Sequence, residues 1–249
     1  LTATRIIAVA EASKDNLTET GVSEKKIRVI LNGVEPLHPC PEEEVGKIRM
    51  RYHIRPDEKV AAIVARLNEV KGHRYFVEAA KIIKAKGIKA KFLIAGTGAE
   101  ENNLKRQIAQ LGLEDTVIMM GFVEDVAPLM QLMDVQVNCS FGTEATSLSL
   151  LEGMSLGKPA VVTDFGGNPG VIFNGINGFL TPTHQSEVLA EKLLKLFEDE
   201  ALYQTLSDNC KKIYQSKFTA RVNTRAIEAV YREAVKRHRR RLERKGEHR

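Results

Sequence analysis

The chain has 249 residues, 43% of them hydrophobic and 28% charged, and reads as soluble and globular. No apolar run approaches the ~20 residues of a membrane-spanning helix. Cys40, Cys139 and Cys210 form no C-x-x-C pair and no Cys/His cluster for zinc, so a reduced, cytoplasmic setting is expected. The net charge of +5 belongs to the end of the chain, because residues 236–249, KRHRRRLERKGEHR, hold eight Lys/Arg against two Glu.

In chain order, the opening residues Leu1 to Arg5 lack a basic start followed by a long apolar region, which argues against a signal peptide. The missing initiator Met is read as the mark of a fragment or a processed form. Short apolar runs follow at 5–10, 26–31, 59–65, 89–96, 116–121, 135–140 and 159–164. They are apolar on both faces, as strands buried in a parallel sheet must be. Amphipathic segments at 72–86, 100–111, 125–133 and 147–156 separate the later ones. Strand and helix in alternation predict an α/β fold: a Rossmann-like, doubly wound parallel sheet with helices on both faces. Ligands of such sheets bind outside the carboxyl ends of the strands.

Residues 1–35 form one β-α-β unit, too small to bury a core alone. PLHPCP, residues 36–41, is proline-rich and reads as a linker. The main domain is 42–217, helical from 187 onward. A last helix with a basic tail occupies 218–249, with Ile227, Val230, Tyr231, Ala234 and Val235 on one face. The plain reading of the tail is a solvated helix end, since cations suit a helix C-terminus. The sharper reading is contact with an anionic membrane surface or nucleic acid.

The residues with chemistry to offer follow strand ends. After the third strand, Arg66 and Lys71 stand beside a helix start, where side-chain charge and free backbone N–H groups together can hold a diphosphate. After the fourth, Gly96 and Gly98 allow a tight turn and close approach of a ligand. Glu101 stands where a dinucleotide fingerprint wants its third glycine, so a dehydrogenase is discounted. A Gly121-Phe122-Val123 turn can offer backbone groups to a base edge. After the sixth strand comes TEATSLSLLEGM, residues 143–154. Thr146 or Ser147 caps the next helix, Glu144 lies in the loop, and Glu152 lies about two turns up that helix. Carboxylates accept hydrogen bonds from hydroxyls, so each can grip a polyol, with phosphate at Thr146, Ser147 and Leu148 between them. Leu148, Leu150 and Leu151 leave little solvated face around Glu152, which then needs partners. The glycine-rich loop at 165–170 approaches the same place.

Taken in order, N-G-V-E (32–35), A-R-x4-K-G (65–72), G-T-G-x-E (96–100), G-F-V-E-D-V (121–126), E-x7-E (144–152), E-G-M-S-L-G-K-P (152–159) and T-D-F-G-G-N-P (163–169) resemble the nucleotide-binding half of retaining family 4 glycosyltransferases, which have the GT-B fold. The resemblance implies a nucleotide-sugar donor, UDP- or GDP-linked, with no metal and no other cofactor. It implies transfer of a hexose-type sugar to a glycan or lipid-linked acceptor in polysaccharide biosynthesis. Arg66 and Lys71 would bind the diphosphate and stabilise the leaving group, in place of a metal, and Glu144 would contact the donor sugar. Thr146, Ser147 and Leu148 would approach phosphate and sugar through backbone or hydroxyl groups. Glu152 would hold the ribose, and Val123 would meet the base through its backbone. His73, in K-G-H, reads as a helix-start residue and not a catalyst.

The chain departs from the pattern at Ala145-Thr146-Ser147, where the family often has G-F-G, and at Ala65, where Gly is common. Residues 1–35 read as the remnant of an N-terminal acceptor domain. The chain alone is therefore expected to bind nucleotide with little or no transfer. Its faces at 1–35 and 218–235 are expected to be apolar, favouring a homodimer or poor solubility. A non-hydrolysing sugar-nucleotide epimerase shares the fold, but the E-x7-E spacing argues against it. A non-catalytic nucleotide- or polyanion-binding module is the other alternative, for which the tail is the best argument. No sequence-specific nucleic-acid partner is expected, and the basic tail allows peripheral attachment at the inner membrane face.

Overall fold

The structure, a computed structural model, describes residues 3–246, and its account of side chains ends at Arg240. The tail positions 247–249 therefore lie outside the described residues. The elements are β1 (Ile6–Ala8), α1 (Glu11–Glu19), β2 (Ile27–Val29), α2 (Glu42–Arg51), β3 (Lys59–Val64), α3 (His73–Ala85), β4 (Ala90–Ala95), α4 (Glu101–Gln110), β5 (Val117–Gly121), α5 (Ala127–Leu132), β6 (Val135–Asn138), α6 (Leu148–Ser155), β7 (Ala160–Thr163), α7 (Asn168–Val171), β8 (Gly178–Thr181), α8 (Ser186–Glu198), α9 (Glu200–Ile213) and α10 (Ala220–Gly246). Every strand expected from the apolar runs forms. The expectation omitted α2 and β8. Six of the ten residues of α2 are charged and only Val45 is buried, so it shows no apolar stripe. The four residues of β8 are too few to show a period.

Six strands pair in parallel in the order β5-β4-β3-β6-β7-β8. The chain runs outward from β3 to β5, then returns to the other side of β3 at β6. The carboxyl ends of β3 and β6 therefore diverge into opposite crossovers and leave a crevice between them. Alternation along β3 divides the core: Ala61 and Ile63 pack with Phe76, Ile83, Phe92 and Leu193 on one face, and Val60 and Ala62 pack with Leu129 and Met130 on the other. A further cluster joins Leu150, Leu151 and Met154 of α6 to Val162, Cys210, Tyr214 and Phe218. Cys139 and Cys210 are buried thiols whose pKa burial raises to about 12, so both stay protonated.

The N-terminal unit is a separate parallel pair, β1 with β2, over a small cluster of Ala8, Val22 and Ile27. It is fastened by α10, which returns after a π-helical turn at Tyr214–Phe218. Ala220 N–H donates to the Val34 carbonyl (3.0 Å) and Asn223 Nδ2 to the Leu31 carbonyl (2.7 Å). Farther along, Glu233 accepts from Arg5 Nε at 3.0 Å, and Arg28 lies 3.4 Å away; the Arg5 side chain is only 3% exposed. The broad apolar exposure expected over 1–35 and 218–235 is not found among the described residues. Among the large apolar side chains of these stretches that the structure describes, only Tyr231 (67%) and Val235 (51%) are exposed.

The hydrogen bond from Arg5, with the Arg28 charge next, holds the Glu233 carboxyl well below its ordinary 4.5, at about 2. A depressed carboxylate stabilises the fold above its ordinary pKa and loses that contribution as pH falls through the depressed value. Glu233→Gln is therefore expected to weaken amide protection in β1 and the middle of α10 at neutral pH, with the difference from the parent chain shrinking below pH 4.5. Equal protection at neutral pH would show that Glu233 is no latch.

Candidate functional site

The site is assembled where β3 and β6 part. After β3 the chain makes a short 3-10 turn, Glu69–Lys71, and passes into α3 through Gly72 at φ +67°. A Cβ at Gly72 would lie 2.2 Å from the Cys139 carbonyl oxygen, so only glycine lets this turn close against the end of β6. The closure brings Lys71 to the loop after β6. Its Nζ lies 2.9 Å from Glu144 Oε2 and 3.3 Å from the Thr143 carbonyl.

Glu144 is 7% exposed and Lys71 18%. A carboxylate at that depth needs donors, and three converge on its Oε2: Lys71, Asn138 Nδ2 at 2.8 Å and Ser140 Oγ at 2.7 Å. Among the described residues nothing donates to Oε1. The support reaches β7, because Thr163 Oγ1 donates to the Ser140 carbonyl at 2.6 Å and Asn168 Nδ2 to the Thr163 carbonyl at 3.0 Å. Asn138 and Ser140 were not among the expected site residues. The polar ending of an otherwise apolar strand, N-C-S, was the signal for them. The loop is braced from outside by Phe141 against His184, ring centroids 4.4 Å apart, with Tyr75 beside both.

Arg66 lies in the same loop as Lys71, exposed and without an ion-pair partner among the described residues. Gly96 and Gly98 serve that loop directly. Cβ atoms there would lie 2.0 Å from the Ala65 carbonyl oxygen and 2.2 Å from that of Leu67. The close approach expected between these glycines and a ligand is thus made to the backbone of the neighbouring loop. Leu67 N–H to Thr97 O (2.9 Å) and Glu100 N–H to Leu67 O (3.0 Å) fasten the two loops together. Val123 is half-buried against the core, while its neighbour Phe122 is largely exposed at the end of β5.

The helix after Glu144 begins at Leu148 with Ser147 in the N-cap position. Ser147 makes no capping bond; its hydroxyl lies 3.2 Å from Ser149 Oγ. The Thr146 hydroxyl is already engaged, donating to the Val9 carbonyl and accepting from Asn32 N–H at 3.3 Å. Only its backbone is left for a ligand. Leu148 is exposed, contrary to the expected apolar wall. With α6 only eight residues long, Glu152 stands little more than one turn in, not two. It is half-buried, no described residue donates to its carboxylate, and burial raises its pKa. His73 is the first residue of α3, as expected. Burial, then the Lys71 charge, lowers its pKa to about 4, so it is neutral at pH 7. Two clefts flank the site. One of about 430 Å³ is lined by Asn68, His73, Arg74 and Glu100, and one of about 550 Å³ lies between Ile30, Gly167, Phe173 and Val222.

The model of a family described as glycosyl transferases group 1 matches residues 45–213. Two curated relatives are an N-acetyl-alpha-D-glucosaminyl L-malate synthase of Bacillus anthracis, 26% identical, and a capsular polysaccharide biosynthesis glycosyltransferase, CapM, of Staphylococcus aureus, 27% identical. The matches take in 91% and 92% of this chain but only 58% and 61% of those proteins. In structure the chain is similar to Anabaena Alr3699/HepE in complex with UDP, with a TM-score of 0.82 and 26% identity over 92% of this chain and 64% of that one. A HepE complex with UDP-glucose is equally similar. A glycosyltransferase from Rickettsia africae ESF-5 gives a TM-score of 0.86 at 25% identity, over 95% of this chain and 65% of that one.

Removing one partner of a buried pair strands the other charge. Lys71→Met is expected to lower stability by about 2 kcal/mol in urea unfolding, and a second change, Glu144→Gln, to restore much of it. Additive losses in the double variant would show that the pair is not coupled.

Proposed function

The chain belongs to the glycosyl transferases group 1 family, and from that premise we propose that residues 42–217 are the donor-binding half of a retaining glycosyltransferase. The donor is a nucleotide-diphosphate sugar carrying a hexose, and the acceptor is a glycan or a lipid-linked sugar. The observation that carries this reading is the Glu144 carboxylate, saturated by protein donors on Oε2 and open on Oε1 beside the Lys71 ammonium.

Arg66 and Lys71 bind the diphosphate. When the bond from the anomeric carbon to the diphosphate oxygen breaks, the electron pair leaves with the nucleotide, and the two cations stabilise that charge in place of a metal. The acceptor oxygen bonds to the anomeric carbon on the face the diphosphate leaves, which retains the configuration, and its proton passes to the departing diphosphate oxygen. Glu144 Oε1 accepts from a sugar hydroxyl. Glu152, half-buried and without a protein donor, accepts from the ribose. The backbone at Thr146 to Leu148, at the start of α6, meets phosphate. Val123 meets the base through its backbone. Gly96 and Gly98 act by holding the Arg66 loop. The curated relatives extend well beyond the matched length, and the acceptor domain belongs to that further part. Alone, this chain binds donor and transfers little. The HepE complexes with UDP and UDP-glucose make a uridine nucleotide the first to test, with GDP second.

Calorimetry with UDP, GDP, ADP and their sugar conjugates tests the reading. One nucleotide is expected to bind, and Glu152→Ala to weaken it by about tenfold or more, the loss of hydrogen bonds to a charged group. Affinity is expected to fall as pH drops through the Glu152 pKa, which burial holds above its ordinary 4.5, because only the carboxylate accepts from two hydroxyls. Glu152→Gln, by removing a charge that burial disfavours, is expected to leave the ligand-free fold equally or more stable at neutral pH. Absence of binding to every nucleotide overturns the proposal.

A further inference from the structure

The far end of α10 carries a surface that nucleotide binding does not use. Up to Ala234 the helix borders the N-terminal unit: Val230, Tyr231 and Ala234 line a cleft with Thr4, Arg5 and Ile7, and Glu233 holds Arg5 and Arg28. At 3.6 residues per turn, the row Tyr231, Val235, Arg239 is rotated by ~100° from the row Val230, Ala234. Tyr231 thus stands at the edge of the cleft with the N-terminal unit, while Val235 and Arg239 lie beyond it. The adjacent row, Arg232, Lys236, Arg240, lies beside it, and together the six line one shallow groove, with Glu228 bonded to Arg232 one turn earlier. Tyr231 and Val235 are the exposed apolar members.

The charge of this face is largely unspent. Arg232 bonds Glu228 at 3.1 Å, and Arg237, on the neighbouring face, lies 3.5 Å from Glu233. Lys236, Arg239 and Arg240 have no acidic partner among the described residues. The sequence then continues with Arg241, Arg244 and Lys245, and with the acids Glu243 and Glu247. A helix with an aromatic and an aliphatic side chain framed by cations suits the boundary of a bilayer. The cations meet anionic headgroups, and the tyrosine sits at headgroup level with its hydroxyl in water.

We propose that the face of α10 formed by Tyr231, Arg232, Val235, Lys236, Arg239 and Arg240 docks the protein on an anionic phospholipid bilayer. The binding is mainly electrostatic, with Tyr231 and Val235 entering the headgroup region. It is independent of nucleotide, because the face lies on a different element from Lys71, Glu144 and Glu152.

The chain has no tryptophan, so Tyr231→Trp introduces a single fluorescent reporter at this face. The full chain is mixed with vesicles of phosphatidylcholine alone and with vesicles rich in phosphatidylglycerol. Binding to the anionic vesicles only, weakened by salt and accompanied by a blue shift of Trp emission, is expected. The triple variant Lys236→Gln, Arg239→Gln, Arg240→Gln changes exposed side chains, and circular dichroism checks its fold. At about a fivefold gain per cation, it is expected to weaken partitioning by about a hundredfold. Three outcomes would overturn the proposal: no partition onto anionic vesicles, partition that the triple variant leaves unchanged, or partition without a blue shift. Binding to heparin or duplex DNA without binding to vesicles also rejects it and makes the surface a general polyanion site.

Discussion

A carboxylate taken out of water must be compensated or it will not stay charged, and much of this molecule's local design follows from meeting that demand at Glu144. The donors come from separate parts of the chain: Lys71 from the turn after β3, Asn138 from the last position of β6, and Ser140 from the loop beyond it. No local segment could supply all of them. They meet because the sheet order places β3 beside β6 and because Gly72 admits the tight passage past Cys139. The buried apolar faces decide that a sheet forms, and the carboxylate fixes how the loops at its rim close. One carboxylate oxygen, Oε2, takes all three of these donors.

Much of this was legible in the sequence, for a physical reason. A strand covered by helices on both faces has to be apolar throughout, so the interior strands announce themselves as short continuous runs. Glu144, Lys71 and Arg66 were legible because each stands just beyond such a run. What stayed hidden depends on contacts across long sequence separations. Nothing near Gly96 or Gly98 reveals that the nearest atoms are the carbonyls of Ala65 and Leu67. Nothing near Thr146 reveals that its hydroxyl bonds to Val9, a residue 137 positions away. Glu152 was expected deeper in its helix because Thr146 and Ser147 both read as helix starts, whereas α6 begins only at Leu148.

Glu144 and Glu152 are held in opposite conditions. The first has its charge met by the protein itself. The second sits half-buried with no donor among the described residues, and burial raises its pKa. A carboxylate held by three donors and one with no donor among the described residues thus stand eight residues apart, on a loop and its helix.

The Thr146 hydroxyl has a mechanical consequence. It joins the Val9 carbonyl, just past β1, to the Asn32 amide, just past β2, and it sits two residues from Glu144. The N-terminal unit therefore does not swing on residues 36–41 as on a loose tether. It is geared to the loop that presents Glu144, so a rotation of the unit has to drag that loop or part from it. A contact made on the far side of the N-terminal unit can in this way be felt at the rim of the sheet, through one hydroxyl group acting as the tooth of the gear.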